Sequence, residues 1–420
     1  MQRTLAVRVP RALLENGPCG DEEGLLGVEL ELRDGRISGV RPLEGDGAQD
    51  CPLALPPLVE AHAHLDKAFS WSQFPNRAGS MTQALAANGR EAAARTAAQV
   101  LERGERALHQ AWRYGLRAIR SHVDSGGPQQ APSWEALLAL QQRWRGRVDL
   151  QLAALVPLAH WSTAAGDALA RQLAGGGGLL GGVLGPPFAE GYRHGEHLRA
   201  LLKLADQHGL AVDLHIDESD AQPGLGLRLL LRELARTPVT VPITCSHCSS
   251  LALLPEPHQR RLAAGLAARD VAVVALPTTN LWLLGRQPSG SPLRRPIAPV
   301  RLLQQEGVTV AIGGDNVQDP WYPGGDFDPI ELLRLSLPAL QLAPWQRQGL
   351  LPFNSAPARL MGLAWDGVLR PGAPADLVVL AASSWSELLA RPPQRRVLRH
   401  GVWLEPPLAQ QADQRLASLG

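Results

Sequence analysis

Through the middle of the chain, short apolar runs alternate with helix-length amphipathic stretches. The runs are Leu55–Glu60, Arg117–His122, Leu150–Pro157, Leu179–Leu184, Ala211–Ile216, Val239–Cys245, Val271–Leu276 and Val308–Ile312. Each has the length of a buried strand. The stretches between them, longest around residues 82–114 and rich in Ala, Arg, Glu and Gln, favour helix. Eight strands, each followed by a helix, predict an α/β fold, a (β/α)8 TIM barrel. The two ends of the chain read differently. Gly27 to Arg33 alternates with period two, Asp34-Gly35 signals a hairpin turn, and strand-like runs at Ala375–Leu380, Val397–Arg399 and Val402–Leu404 surround a His400-Gly401 turn. Neither end is large enough for its own core. They are expected to pair as a small β-sandwich domain of residues 1–54 and 368–420, with 55–367 forming the barrel.

Composition agrees and narrows the class. A chain of 420 residues suits one barrel of ~250 residues or more with a smaller companion. Lys+Arg number 41 against 40 Asp+Glu, which leaves no basic footprint for nucleic acid. The first ten residues lack a signal peptide's apolar stretch, and no run reaches the ~20 apolar residues of a membrane span. A cytoplasmic location with no membrane partner is therefore expected. Four cysteines do not make a disulfide framework in a chain this long. Cys245-Ser246-His247-Cys248 has no second Cys/His pair to complete a structural zinc site. Thr244 also stands where the helix-borne zinc signature of the nucleoside deaminases requires proline. Both thiols read as ordinary buried cysteines. Gly175 to Gly178 lacks a following Lys-Ser/Thr, so it reads as a turn and not a phosphate loop.

Barrel enzymes carry their reactive groups where strands end, and there the histidines collect. Of twelve, five (His62, His64, His122, His215 and His247) fall at predicted strand ends. Alternate residues of an extended chain share a face, so His62 and His64 point the same way. With His215 and Asp315 they make a set of three imidazoles and a carboxylate that can hold one divalent ion and leave a position for water, whose pKa then falls toward ~7. Glu218, three residues after His215, suits a proton shuttle to the substrate. His247 can orient the attacking water or polarise a forming oxyanion, and Asp315 can both ligate and accept a proton. His122 and Asp124 are expected to support the ligands. His109, His160, His194, His197, His208, His258 and His400 are expected on the surface, and Lys67 as a solvated cation. The chain has two lysines, Lys67 and Lys203. Neither lies near the end of the fourth strand, where a carboxylated lysine would bridge a metal pair, so one ion is expected.

The order of these motifs resembles the amidohydrolase superfamily, and within it the bacterial cytosine deaminase family. The resemblance rests on Pro57 to Asp66, Ser121-His122-Val123-Asp124, Asp213 to Glu218, Ser246-His247, Leu276 to Leu281 and Gly314 to Pro323, and it covers most of the chain. It implies a mononuclear iron(II) or zinc enzyme with His62, His64, His215 and Asp315 as ligands. Glu218 would be the shuttle, and His247 and Asp315 would activate water that attacks the amino-bearing ring carbon and releases ammonia. Trp321 would wall the pocket. An amino-heterocycle such as a cyclic amidine or aminopyrimidine, cytosine first, is the implied substrate, and the resemblance also suggests an oligomer.

Two positions depart from the family pattern. Leu158 stands where a substrate-holding glutamine is expected, and Asn316 replaces a second aspartate. Leucine cannot hydrogen-bond a pyrimidine edge, and a site lacking such a partner loses discrimination for its polar ligand. Removal of an alkylamino group from a triazine-like ring, to which Leu158 is suited, is therefore a second reading. A non-catalytic scaffold is a third, opposed by the complete ligand and shuttle set. His3Asp suits iron and zinc alike.

Overall fold

The computed structural model describes residues 3–405 except 128, 187, 189, 190 and 288. The outermost parts of the expected end-built domain, residues 1, 2 and 406–420, lie outside the described residues, as does Pro187 beyond the fourth strand. Eight parallel strands follow one another in chain order around a barrel: Leu58–Ala63, Leu116–Asp124, Asp149–Leu155, Leu179–Leu184, Val212–Ile216, Ile243–His247, Ala272–Ala275 and Val310–Ile312. The ring closes at the ends of its first and eighth strands, where Ala63 bridges to Asp315 and the Asp315 amide donates to the His62 carbonyl at 2.9 Å. Closure therefore falls on two residues expected to share an ion.

Three expected elements differ from those observed. The first strand begins three residues later than Leu55, because Pro56 and Pro57 have no N–H for a ladder. Ala54–Leu55 instead pairs with Leu377–Leu380. The sixth strand likewise starts after Pro242. The long helix expected over 82–114 is two, Met81–Ala94 and Ala97–Tyr114. Between them Arg95 is extended, and Thr96 and Gln99 form a reciprocal cap. Gln99 N donates to Thr96 Oγ1 at 3.3 Å, and Thr96 N donates to Gln99 Oε1 at 3.0 Å. A Thr-x-x-Gln pattern was the available sign of that new N-terminus.

The chain ends build two antiparallel sheets. Arg3–Pro10, Leu25–Arg33 and Arg36–Pro42 form one; Ala54–Leu55, Leu377–Leu380, Arg395–Arg399 and Val402–Trp403 form the other. Val7, Val28, Leu30 and Ile37 of the first share a buried cluster with Leu377 and Leu398 of the second. Burying such aliphatic side chains contributes about 2 kcal/mol each. The Asp34-Gly35 turn has positive φ at both residues (50° and 74°), as the tight hairpin requires. Compact units comprise Met1–Val59, Leu108–Arg117 and Asp326–Gly420 in one case, and Glu60–Ala107 and Ala118–Gly325 in the other. Every residue of the site described next belongs to the second. Among the described residues, no helix is long and apolar enough to cross a membrane.

Candidate active site

His62 lies in the first strand and His64 one residue past it. His215 is in the fifth, His247 closes the sixth, and Asp315 follows the eighth. Their side chains meet. His64 Nε2 is 3.3 Å from both His215 Nε2 and Asp315 Oδ1, and His62 Nε2 is 3.5 Å from Asp315 Oδ1. Donors 2.0–2.1 Å from a common tetrahedral centre sit ~3.4 Å apart, so these separations match the edges of a metal polyhedron. Among the described residues, His62 Nε2 and both Asp315 oxygens are buried without a hydrogen-bond partner. Such groups are costly unless something else satisfies them. The donor set therefore fits one divalent ion.

Electrostatics prepare the imidazoles as ligands. Burial, reinforced by His122 and the other rings, holds His62 and His215 well below the ordinary histidine range, and burial takes His247 down to about 4. All three stay neutral, the form that binds a metal. A buried relay fixes the His62 tautomer. Ser246 donates its hydroxyl to Asp213 Oδ1 at 2.8 Å, so it accepts from His62 Nδ1 at 2.9 Å, while Arg120 holds Asp213 Oδ2 at 2.8 Å. The His62 lone pair at Nε2 is thereby turned to the centre of the cluster. Ser246→Ala is expected to weaken divalent-ion affinity by about 10-fold to 100-fold, measured by competition with a chelating dye.

His122 packs against His62 with ring centroids 3.9 Å apart, and neither of its nitrogens has a hydrogen-bond partner among the described residues. Glu60 joins the first and eighth strands by accepting from His62 N at 3.0 Å and Gly314 N at 2.9 Å. Burial pushes its carboxyl up to about 8. A Cβ at Gly313 would lie 2.7 Å from Glu60 Oε1, so this close approach requires glycine. His247 and Asp315 both have positive φ (71° and 64°), an uncommon conformation that tends to cluster at functional sites.

Around this cluster opens a cavity of about 740 Å3, whose walls include His64, His215, Glu218, His247 and Asp315 together with Leu158, Asn316 and Trp321. The sequence-predicted site residues are thus brought together, with His62 directly behind the wall. Glu218 Oε1 is 3.5 Å from His247 Nδ1, and burial together with the Asp315 charge raises its carboxyl well above the usual range. With the Asn280 amide in its present orientation, Nδ2 donates to His247 Nδ1 at 3.1 Å, which leaves the ring proton on Nε2. Asn316 is held by its neighbours: its Nδ2 donates to Asp319 Oδ2 at 2.8 Å and its Oδ1 accepts from Thr279 Oγ1 at 3.4 Å.

One expectation about a basic residue, a solvated Lys67, is corrected here. Lys67 is buried, not solvated. It lines the cavity and pairs with Asp124 at 2.9 Å. It belongs to a network in which Arg95 reaches Asp66, Glu91 and Asp124, and Arg103 reaches Glu91. Three cations face three carboxylates, so the loop leaving His64 is pinned without a net buried charge. Burial acts to raise Asp124, but Lys67 and Arg95 outweigh it and hold the group far below the carboxylate range. Lys67→Met removes one of two cations from Asp124 and is expected to destabilise the fold by about 3 kcal/mol, read by denaturant unfolding. His194 and His197, expected on the surface, line the cavity beside Arg193. Their helix, Gly191–His208, starts at the end of the fourth strand's loop, a position that their charged surroundings in sequence did not reveal. Cys245 and Cys248 are buried free thiols.

Comparison with known proteins places this geometry. Residues 79–404 match the model described as the amidohydrolase family. A pterin deaminase from Rhizobium rhizogenes is 33% identical over 390 residues, 90% of this chain and 88% of that protein. Among solved structures, a 5-methylcytosine deaminase from Klebsiella pneumoniae liganded with 5-fluorocytosine superposes with a TM-score of 0.81 at 24% identity, over 96% of this chain and 97% of that one. An N-isopropylammelide isopropylaminohydrolase from Burkholderia multivorans superposes at 0.74 with 25% identity, over 96% and 99%.

Proposed function

This chain belongs to the amidohydrolase family, and we propose that it hydrolytically deaminates an amino-heterocycle of the fused aminopyrimidine type, such as a pterin. The coarse activity, hydrolysis of a carbon–nitrogen bond, follows from the family and its relatives. The observation that carries the finer reading is the convergence of His62, His64, His215 and Asp315 beside Glu218 and His247 on the wall of one cavity. Two facts favour a fused ring over cytosine alone. One is the 33% identity to a protein named as a pterin deaminase. The other is a cavity of about 740 Å3, within the range that encloses ligands well above a single ring in size.

In this reading His62, His64, His215 and Asp315 hold the divalent ion. When bound, the ion supplies the Lewis acidity that brings water's ionisation into the neutral range. The chain's own groups manage position and protons. Asp315 and His247 orient the attacking water, Asp315 accepts one of its protons as the C–O bond forms, and His247 Nε2–H faces the oxygen that becomes the ring carbonyl. Glu218, kept protonated by its surroundings, gives its proton to the ring nitrogen next to the amino carbon as the C–O bond forms. It then takes the proton from the new hydroxyl and passes it to the amino nitrogen. The C–N bond breaks, ammonia leaves, and the proton held by Asp315 passes to Glu218 to restore the starting state. Leu158 and Trp321 supply apolar walls for the ring.

A screen of metal-loaded protein against pterin, cytosine and N-isopropylammelide tests the reading. Ammonia from pterin is the expected result, at higher kcat/KM than from cytosine. Release of isopropylamine alone, or of no amine from any of the three, would overturn it.

A further inference from the structure

The amide that the family resemblance implies at position 158 is not there: Leu158 lines the cavity, is 4% exposed and has no polar side-chain atom. A heterocycle that carries ring carbonyls or ring nitrogens needs a donor, because an acceptor buried without a partner costs affinity. Asn316 does not fill the gap, since Thr279 and Asp319 engage its amide at both ends. The helix Met81–Ala94 brings another amide, that of Asn88, to the cavity wall. Asn88 Oδ1 accepts from the Trp321 indole at 3.2 Å. An indole N–H can only donate, so this bond settles which end of the amide is which. Oδ1 is turned to Trp321, and Nδ2, with two hydrogens and no partner among the described residues, is the end left for the cavity. Trp321 is itself anchored, because its backbone N–H donates to Asp319 Oδ1 at 2.9 Å. Ala84 on the same helix packs with Leu283 and Leu284, so the helix is seated on the wall that carries Trp321.

We propose that Asn88 is a specificity-determining residue, whose Nδ2 donates to a ring carbonyl oxygen of the heterocycle and so supplies, from the helix Met81–Ala94, the amide absent at Leu158. This rests on the deaminase reading for the ring class but not for its measurement. Trp321 then has two tasks, as an apolar wall and as the group that fixes which end of Asn88 meets the substrate.

The test is calorimetric binding to metal-loaded protein of two fused rings that are not turned over. One is pteridine-2,4-dione, which bears ring carbonyls; the other is quinoxaline, which has the frame without them. Asn88→Asp keeps the acceptor for Trp321 but replaces the donor with a carboxylate. Asn88→Ala removes both. Each is expected to weaken the dione by about tenfold or more, Asn88→Asp the more strongly, with quinoxaline, metal content and Tm unchanged. Trp321→Phe, which keeps an aromatic wall but frees the amide, is expected to give a smaller loss for the dione. Equal losses for both rings would make Asn88 merely structural and overturn the proposal, as would no loss for the dione. Ammonia release from pterin is scored separately. Its absence in the wild type sinks the deaminase reading, while the binding pattern alone decides the role of Asn88.

Discussion

Replacing Glu218 with glutamine leaves the divalent-ion content of the protein intact and lowers ammonia release by about 10^3-fold. General acid–base groups contribute roughly 10^2-fold to 10^4-fold, and this one is used twice in each turnover, so an effect in the upper half of that range is expected. Glutamine matches glutamate in size and preserves the wall it forms beside His247, but it cannot carry a proton between ring nitrogen and leaving amine. The geometry leaves a rival that the same experiment excludes. Glu218, His247 and Asp315 also lie close enough together to hold an ion. If Glu218 were a ligand, the variant would lose metal along with turnover. Parallel metal analysis and initial rates on one preparation separate a shuttle from a ligand.

His215→Ala is expected to lose both. His215 is 6% exposed and its Nε2 faces His64 Nε2 at 3.3 Å, so alanine removes one of the four donors proposed for the ion. Removing a partner that only orients a ligand costs 10-fold to 100-fold in metal affinity or activity; removing the ligand itself is expected to cost more. Metal content after gel filtration should fall far below one ion per chain, with ammonia release at background. The stabilisation that a bound ion confers on the native state should vanish too, so that added zinc raises the Tm of the wild type but not of His215→Ala. A variant that still binds one ion per chain would remove His215 from the ligand set.

The barrel was legible in the sequence because each of its strands is an isolated apolar run, and period and spacing survive without tertiary context. Where the reading slipped, the cause is local. Proline at 56, 57 and 242 shifts strand starts toward the C-terminus, and a Thr96/Gln99 cap divides one apparent helix. The grouping of His62, His64, His215, His247 and Asp315 was legible for the same reason as the barrel, since strand ends are the positions that topology brings to one face. Lys67 and Asn88 were not. The charge that buries Lys67 comes from Asp124, 57 residues away, and the bond that orients Asn88 comes from Trp321, 233 residues away. In sequence each is an ordinary polar residue. The packing of the helix Met81–Ala94 against the segment beyond the seventh strand brings Asn88 to the cavity, while Lys67 is held there by Asp124 at the end of the second strand.

One titration tests the central claim most directly. Chelator-stripped protein is titrated with zinc, and in parallel with ferrous iron under anaerobic conditions, while bound metal and ammonia release from pterin are followed together. One ion per chain, with activity rising in proportion and levelling at that same ratio, is the expected result. Full activity in the stripped protein, or activity that levels only at two ions per chain, would contradict the single-ion site formed by His62, His64, His215 and Asp315.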